Sequence, residues 1–358
     1  MIDFSRAEAL KPTIRDASRS GNLALYHEAQ ARGLTLTELL EEYDPSPRTA
    51  DGGVDSPLDA FERQLAVHDI AVAGRNAATV EQFLMSDAVL LAPEFILREI
   101  RRGMALVQDP AELVAVQVPE KGPSVKPVYF RLLDAKKTVA RHGEGAGYPA
   151  VTVNYREKEA KMVDRGRQFD FPYRVIRHQR LTEFRAFLWA VGGQMAADEL
   201  TEISDILING DGTSGGATDV FNGTPGTLAY SDLVHLALAF QPPTQMTHIL
   251  GSQTDIEKIL NFTQFQDPSL WRGDLFSVSG SIRSFLPFNA KIAVVPSARE
   301  SVLTALDKRL AIRESVAQPL MVEAEKIISA TLESAVVSKE SVYTVLYDEA
   351  MYKSDFST

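Results

Sequence analysis

Residues 181–226 read LTEFRAFLWAVGGQMAADELTEISDILINGDGTSGGATDVFNGTPG, and this stretch decides the fold. Apolar residues recur at Leu181, Phe184, Leu188, Val191, Met195, Leu200, Ile203 and Leu207, mostly three or four apart, which is the period of a helix with one buried face. Arg180 or Thr182 can start it, and Glu183 suits the first turn. Asn209-Gly210 supplies a left-handed cap at its end. A helix over 181–209 would be about 43 Å long at about 1.5 Å per residue, well beyond the roughly 11–12 residues of an average helix. The competing reading is a pair of ordinary helices broken at Gly192-Gly193, since each glycine costs about 1 kcal/mol relative to alanine. A second turn, Asn222-Gly223-Thr224-Pro225-Gly226, follows the first at close range.

Around this stretch the chain is compositionally ordinary. It has 358 residues, 45% hydrophobic and 24% charged, with a formal net charge of −11, which argues against wholesale nucleic-acid binding. No run of eighteen apolar residues suggests a membrane span, and the start MIDFSRAEALKPTIRD lacks the apolar core of an export signal. The chain has no cysteine. That excludes disulfides, zinc-thiolate sites and cysteine nucleophiles, and fits cytosolic synthesis.

Charge is unevenly spread. From Lys121 to Arg180 there are 14 Lys/Arg against 6 Asp/Glu, a balance of +8, whereas residues 1–60 hold 6 basic against 11 acidic groups. A solvated basic face would explain this. So would a basic projection of one subunit lying on an acidic surface of the next.

Residues 1–44 read as short helices, with Leu34, Leu36, Leu39 and Leu40 on one stripe, and 45–55 as a linker. Ser56-Pro57-Leu58-Asp59 reads as a helix start, with Ser56 as the cap. Further helices are expected over roughly 78–86 and from Pro93 to near Gly103. Residues 111–178 are β-patterned: Leu113, Val114, Val116 and Val118 fit one strand, and Val125, Val128, Phe130 and Leu132 another. A glycine-rich stretch, 141–149, separates them from Val151-Thr152-Val153. After 209 the pattern becomes mixed: a helix over 231–240, a strand over 247–251, a helix capped by Ser252 or Thr254, and a buried strand over 290–296. Short elements follow at 301–305, 309–312 and 319–322, and then strands with alternation at Val342, Thr344, Leu346 and Tyr343, Val345, Tyr347.

Candidate chemistry is sparse. Asn209-Gly210-Asp211-Gly212 and the residues to Gly216 resemble a phosphate or calcium loop superficially. They lack the Lys-Ser/Thr of a P-loop and the further acidic positions of an EF-hand, so a structural turn is the expectation. The six histidines, at 27, 68, 142, 178, 235 and 248, have no metal-ligand spacing. There is no nucleophile elbow and no paired-carboxylate signature. Trp189 and Trp271 read as packing residues. No catalytic residue, cofactor or metal is expected.

The run Ala197-Asp198-Glu199-Leu200, then Asp205-Ile206-Leu207-Ile208-Asn209-Gly210-Asp211-Gly212, then Phe221-Asn222-Gly223, resembles the major capsid proteins of tailed phages of the Hong Kong 97 type, and the match in order extends over about residues 90–358. That resemblance implies an α+β fold with an N-terminal arm and helical extension (1–90), the start of a P-domain (91–120) and an extended E-loop β-hairpin (121–168). The rest of the P-domain (169–229) would carry the spine helix (180–209), followed by an A-domain (230–320) and C-terminal P-domain strands (321–358). It further implies a structural, non-enzymatic protein that assembles with itself into hexamers and pentamers of an icosahedral shell around double-stranded DNA. The DNA would be contacted non-specifically, and portal and scaffolding or decoration proteins would be partners. The location would be the virion, with synthesis and assembly in the host cytoplasm. Lys136, Lys137 and Arg141 become candidate E-loop contacts between subunits, and Gly192 and Gly193 a candidate bend in the spine helix. Some members of that family crosslink subunits through Lys and Asn. The last Asn here is Asn289, so no such crosslink is expected in the C-terminal strands. The chain begins at Met1 with the N-terminal segment present, so removal of a scaffolding segment is not expected. An encapsulin-type compartment shell is the alternative within the fold. A soluble α/β enzyme holding an anion at 209–216 is the alternative outside it.

Overall fold

The structure is a computed structural model that describes residues 4–47, 57–107, 109–129, 154–172, 178–263, 282–283, 290–327 and 332–357. Helices and sheets of both parallel and antiparallel strands make it an α+β protein. The chain divides into two compact units, one of residues 1–103, 166–192 and 320–338, the other of 104–165, 193–319 and 339–358.

The first unit is built from helices α1 (Ser5–Ser20), α2 (Ala24–Arg32), α3 (Leu36–Tyr43), α4 (Ala60–Val67), α5 (Val80–Leu84) and most of α6 (Ala92–Val107). Each of α3, α4 and α5 begins with a reciprocal capping box: Thr35 with Glu38, Asp59 with Glu62, Thr79 with Gln82. The Asp59 box decides where α4 starts. The helix begins at Ala60, because Asp59 and Glu62 together satisfy two end N–H groups; Ser56, expected as the cap, lies outside the described residues. Ile14, Leu39, Leu40, Phe61, Leu91 and Ile100 are fully buried in this unit. The buried pair Arg63–Asp44 (2.7 Å) ties α4 to the end of α3.

Helix α6 does not stop near Gly103 but continues to Val107. Gly103 serves a packing role there: a Cβ at this position would lie 2.4 Å from the backbone oxygen of Trp189. The close approach lets Glu99, 3% exposed, accept from the Trp189 indole (2.6 Å) and the Arg185 guanidinium (3.1 Å).

The second unit holds β1 (Val116–Pro119), β2 (Ser124–Val125), β3 (Val128–Tyr129), β4 (Asn154–Tyr155), β5 (Ala160–Lys161) and the start of β6 (Val163–Pro172). Helix α7 (Leu181–Asn209) runs unbroken through Gly192-Gly193, so the two-helix reading is not what forms. All eight residues of its expected apolar stripe are buried. Next come β7 (Thr218–Asp219), α8 (Tyr230–Ala239), β8 (His248–Gly251), α9 (Gln253–Leu260), β9 (Ile282–Arg283) and β10 (Lys291–Val294). β11 (Val302–Leu306), β12 (Ile312–Ile327), β13 (Leu332–Val345) and β14 (Met351–Asp355) complete the chain.

One sheet has the order β7-β14-β11-β8-β10-β9, with β8 and β10 parallel and β11 antiparallel to both β8 and β14. A second has the order β1-β12-β13-β6. Leu200, Ile203 and Leu207 of α7 share a buried cluster with Leu250, Leu306, Ile312, Tyr343 and Val345.

Three strand expectations change. Leu113 closes a 3-10 turn, Pro110–Leu113, and the strand begins only at Val116. The element expected at 309–312 is a turn that ends as β12 begins at Ile312, and the one expected at 319–322 lies inside that long strand. β1 ends opposite Val316, which leaves an edge where Pro319 is tolerated. Alternation along β13 does not mark an inside and an outside, because Tyr343, Thr344 and Val345 are all at most 1% exposed.

Gly103→Ala should destabilise the protein by about 1–3 kcal/mol, the usual cost of overpacking. The added methyl meets main chain that cannot rotate away. A lowered urea midpoint is expected; an unchanged or raised midpoint would show that the approach of Gly103 to Trp189 is not tight.

Candidate assembly elements

The turn after α7 is a closed structure. Gly210 takes φ 88°, and its N–H donates to Ile206 O at 2.8 Å. The next two carbonyls are also occupied, Leu207 O by the Ala217 N–H (2.7 Å) and Ile208 O by the Lys353 ammonium (3.1 Å). Three of the four terminal carbonyls of the helix thereby have partners within the chain. Glycine is required at 210 twice over, by its left-handed backbone and because a Cβ would lie 2.2 Å from Ser214 O.

Asp211 sits at the centre of this turn. Its Oδ1 accepts from the N–H groups of Thr213 (2.8 Å) and Ser214 (2.6 Å) and from both their hydroxyls, while Oδ2 accepts from the Val345 N–H (2.9 Å). Burial pushes the Asp211 carboxyl pKa up, but the Val345 and Ser214 N–H groups and the two hydroxyls outweigh it, leaving it below the usual value. Two of the loop's amides, those of Thr213 and Ser214, are thus taken by the chain's own carboxylate.

The base of a hairpin is rooted in the same place. Ser124 and Val125 pair antiparallel with Lys161 and Ala160, and Val128 and Tyr129 with Tyr155 and Asn154. Between these ladders Lys126-Pro127 faces the longer run Arg156–Glu159, so the returning strand bulges. A bulge re-aims side chains, and here it turns Arg156 inward, leaving its side chain 9% exposed. Arg156 donates to Thr213 O in the turn (3.1 Å), to Val345 O at the end of β13 (3.4 Å) and to the Asp348 carboxylate (3.1 Å). Val125 and Ala160 of the stem pack on Val342.

A buried ionic network lies between α7 and the β12–β13 pair. Lys339 bridges Glu199 of α7 (3.0 Å) and Glu314 of β12 (2.8 Å), both 3% exposed. The Tyr343 hydroxyl donates to Glu199 (2.7 Å), and the Gln117 amide to Glu314 (3.0 Å). Burial lowers the Lys339 pKa, but the two carboxylates outweigh it and hold the ammonium above its ordinary value. Arg165 forks onto Glu202 one turn along α7, with its guanidinium over the Tyr343 ring.

Among the expected site residues, Asn209, Gly210, Asp211 and Gly212 form the turn described. Lys136, Lys137 and Arg141 lie outside the described residues. Sequence reasoning passed over Arg156, Glu199, Glu314 and Lys339. Arg156 was one of many basic residues, and nothing in the local pattern marks a bulge. Among the histidines, His248 is buried, and burial followed by the nearby Lys291 and Lys308 brings its pKa down to about 4, so it is neutral. Among the described residues, no cluster of His, Asp or Glu could hold a metal, and no helix is long and apolar enough to cross a membrane.

No protein-family model matches this chain, and neither does any curated protein sequence. Among solved structures, the chain is similar to a virus-like particle from Pyrococcus furiosus, at 12% identity and TM-score 0.48, over 74% of this chain and 99% of that one. It is also similar to the capsid of an empty GTA particle, at 11% identity and TM-score 0.48, over 70% and 91%. A third is the capsid of the cyanophage P-SCSP1u, at 12% identity and TM-score 0.46, over 68% and 86%. At that level of likeness the functional reading stands on this chain's own residues.

Asp211→Ala should cost about 2–4 kcal/mol, since it leaves the Val345, Thr213 and Ser214 N–H groups without their acceptor. Asp211→Asn, which keeps both acceptor lone-pair positions on one atom, should cost less. Chemical denaturation of the two variants checks this, and equal, negligible losses would show that the turn is held by other contacts.

Proposed function

We propose that this chain is a shell-forming protein, a major capsid protein of the Hong Kong 97 type, that assembles with copies of itself into hexamers and pentamers of an icosahedral container for double-stranded DNA. The observation that carries the reading is the rooted hairpin stem. A long helix ends in a closed turn, and the base of a basic hairpin is tied into that turn by Arg156. The stem does not end blindly: residues 130–153, with Arg131, Lys136, Lys137 and Arg141 against Asp134 and Glu144, connect its two strands. A segment of that kind gains its stabilisation from another surface, and a second copy with the acidic residues of 1–60 supplies one. The carboxylate of Asp211 at the centre of the turn, holding the Thr213 and Ser214 amides, also weighs against the anion-binding enzyme.

On this reading the role is structural rather than enzymatic, and the site of action is the virion after assembly in the host cytoplasm. Portal and scaffolding or decoration proteins are further partners, and packaged DNA is touched non-specifically. The segments 1–90, 91–120, 121–168, 169–229, 230–320 and 321–358 correspond to N-terminal extension, P-domain start, E-loop, P-domain with spine helix, A-domain and C-terminal strands.

Gly192-Gly193 is proposed as a bending point of α7, where bending is least costly. A bend near these residues is expected in at least one state or quasi-equivalent position of the shell. Straight, regular helices in all copies of the chain, in immature and mature shells alike, would refute it.

Exposed ion pairs contribute only about 0–1 kcal/mol each and weaken with salt, but a closed shell repeats them in every copy. The double variant Lys136→Glu, Lys137→Glu should therefore fold normally by circular dichroism yet assemble poorly by electron microscopy, with assembly of the unaltered protein weakened by salt. Normal shells with unchanged salt tolerance would refute the electrostatic contact. An unfolded variant would place this segment in the core of its own chain and refute the E-loop assignment.

A further inference from the structure

The chain carries two Asn-Gly dipeptides, Asn209-Gly210 and Asn222-Gly223, and the structure treats them oppositely. Asn-Gly is the dipeptide in which a backbone nitrogen can most easily reach the preceding side-chain amide, because glycine offers no Cβ to block the approach. Reaction needs a free N–H on the glycine and an asparagine whose backbone can rotate.

At Asn209 neither is free. Asn209 is the last residue of α7, the Gly210 N–H is bound to Ile206 O at 2.8 Å, and the returning loop presses on the helix end so closely that a Cβ on Gly216 would lie 3.0 Å from Asn209 N. At Asn222 both conditions are met. Asn222 and Gly223 are exposed and outside any helix or strand, and among the described residues no hydrogen bond holds the Gly223 N–H or the Asn222 side chain.

The position at 223 also leaves little room for a side chain. A Cβ there would lie 2.9 Å from Asp232 Oδ1 and 3.0 Å from Oδ2, and Asp232 is 3% exposed, its Oδ2 accepting from the Ala229 N–H at 2.9 Å where α8 starts. A larger residue at 223, which would slow the reaction, would collide with this carboxylate.

We infer that Asn222 is a site of spontaneous covalent self-modification, while Asn209, with the same local sequence, is protected. Hydroxide or water takes the proton from the Gly223 nitrogen, which attacks Cγ of Asn222. A C–N bond forms, the bond from Cγ to the side-chain nitrogen breaks, and ammonia leaves with a proton from solvent. Water then opens the succinimide at either carbonyl, giving aspartate or isoaspartate, with no oxidant or cofactor involved. The product adds a negative charge to the turn that already carries the buried Asp232, and the isoaspartate form lengthens the main chain there by one methylene. This holds whether or not the chain forms shells.

The test incubates the purified full-length protein at mildly alkaline pH, native and in urea, until the urea sample has reacted. Chymotrypsin cuts after Phe221 and Tyr230, which separates the two asparagines for mass spectrometry. In the native protein the 222–230 peptide should show the mass change of amide to acid and become a substrate for isoaspartyl methyltransferase. The Asn209 peptide should lag by more than about tenfold, since a locked site reacts only through local opening. In urea the two should react at similar rates. Asn222→Gln, at an exposed position, should keep the fold and abolish the native signal. Equal native rates at both sites, an Asn222 that reacts in urea but not in the native protein, or a native signal that survives Asn222→Gln would each overturn the inference.

Discussion

Five donors converge on the Asp211 carboxylate, and the second unit is organised around that convergence. Oδ1 gathers the turn that follows α7, and Oδ2 reaches across to the Val345 N–H at the end of β13. The turn's own carbonyl at Thr213 then becomes an acceptor for Arg156, which brings in the hairpin stem. Helix, sheet and stem are fixed to one another through a single ionised group, and loss of one member leaves the others with unsatisfied polar atoms. A buried polar network satisfied in this way specifies one arrangement.

A few turns back along α7, the Glu199–Lys339–Glu314 bridge holds the same helix to the same sheet by a different means. A lysine between two buried carboxylates is a poor source of net stability when compared with apolar packing, because desolvation costs as much as the pairing returns. Breaking it is another matter, since it would strand a buried charge. Tyr343 and Gln117 donate to the two carboxylates, so each carries a second partner. We read the network as a register lock: β12, β13 and α7 can slide against one another through apolar contacts, but the charges meet in only one alignment. The apolar side of the same interface, Leu200, Ile203 and Leu207 against Ile312 and Val345, supplies the burial.

Much of this was legible in the sequence, for physical reasons that differ by element. The period of α7 was readable because one stripe is buried along its whole length, and its end because only glycine fits at 210. The start of α4 was misplaced because Ser56-Pro57 is a good signal locally, and nothing short of the Asp59–Glu62 reciprocity overrides it. The full length of β12, from Ile312 through 319–322 and beyond, was hidden by Pro319, which normally ends a strand and here sits on an edge. The anchoring residues were the least visible. Arg156 owes its role to a bulge, and Glu199, Glu314 and Lys339 meet across long separations in the chain, so no local pattern announces them. The sequence reading of the Asn209–Asp211 turn as structural did not extend to what it holds, which became apparent only with Val345 and Arg156 in place.

On the proposed reading, the anchored stem is the root of a basic segment that is stabilised by other copies of the same chain. The central claim is therefore self-assembly, and particle size tests it most directly. Negative-stain electron microscopy of the purified protein, paired with light scattering from a sizing column, should show closed shells or six- and five-membered rings of the 39.4 kDa chain. A uniform population of monomers or small oligomers at high protein concentration and low salt would contradict the account.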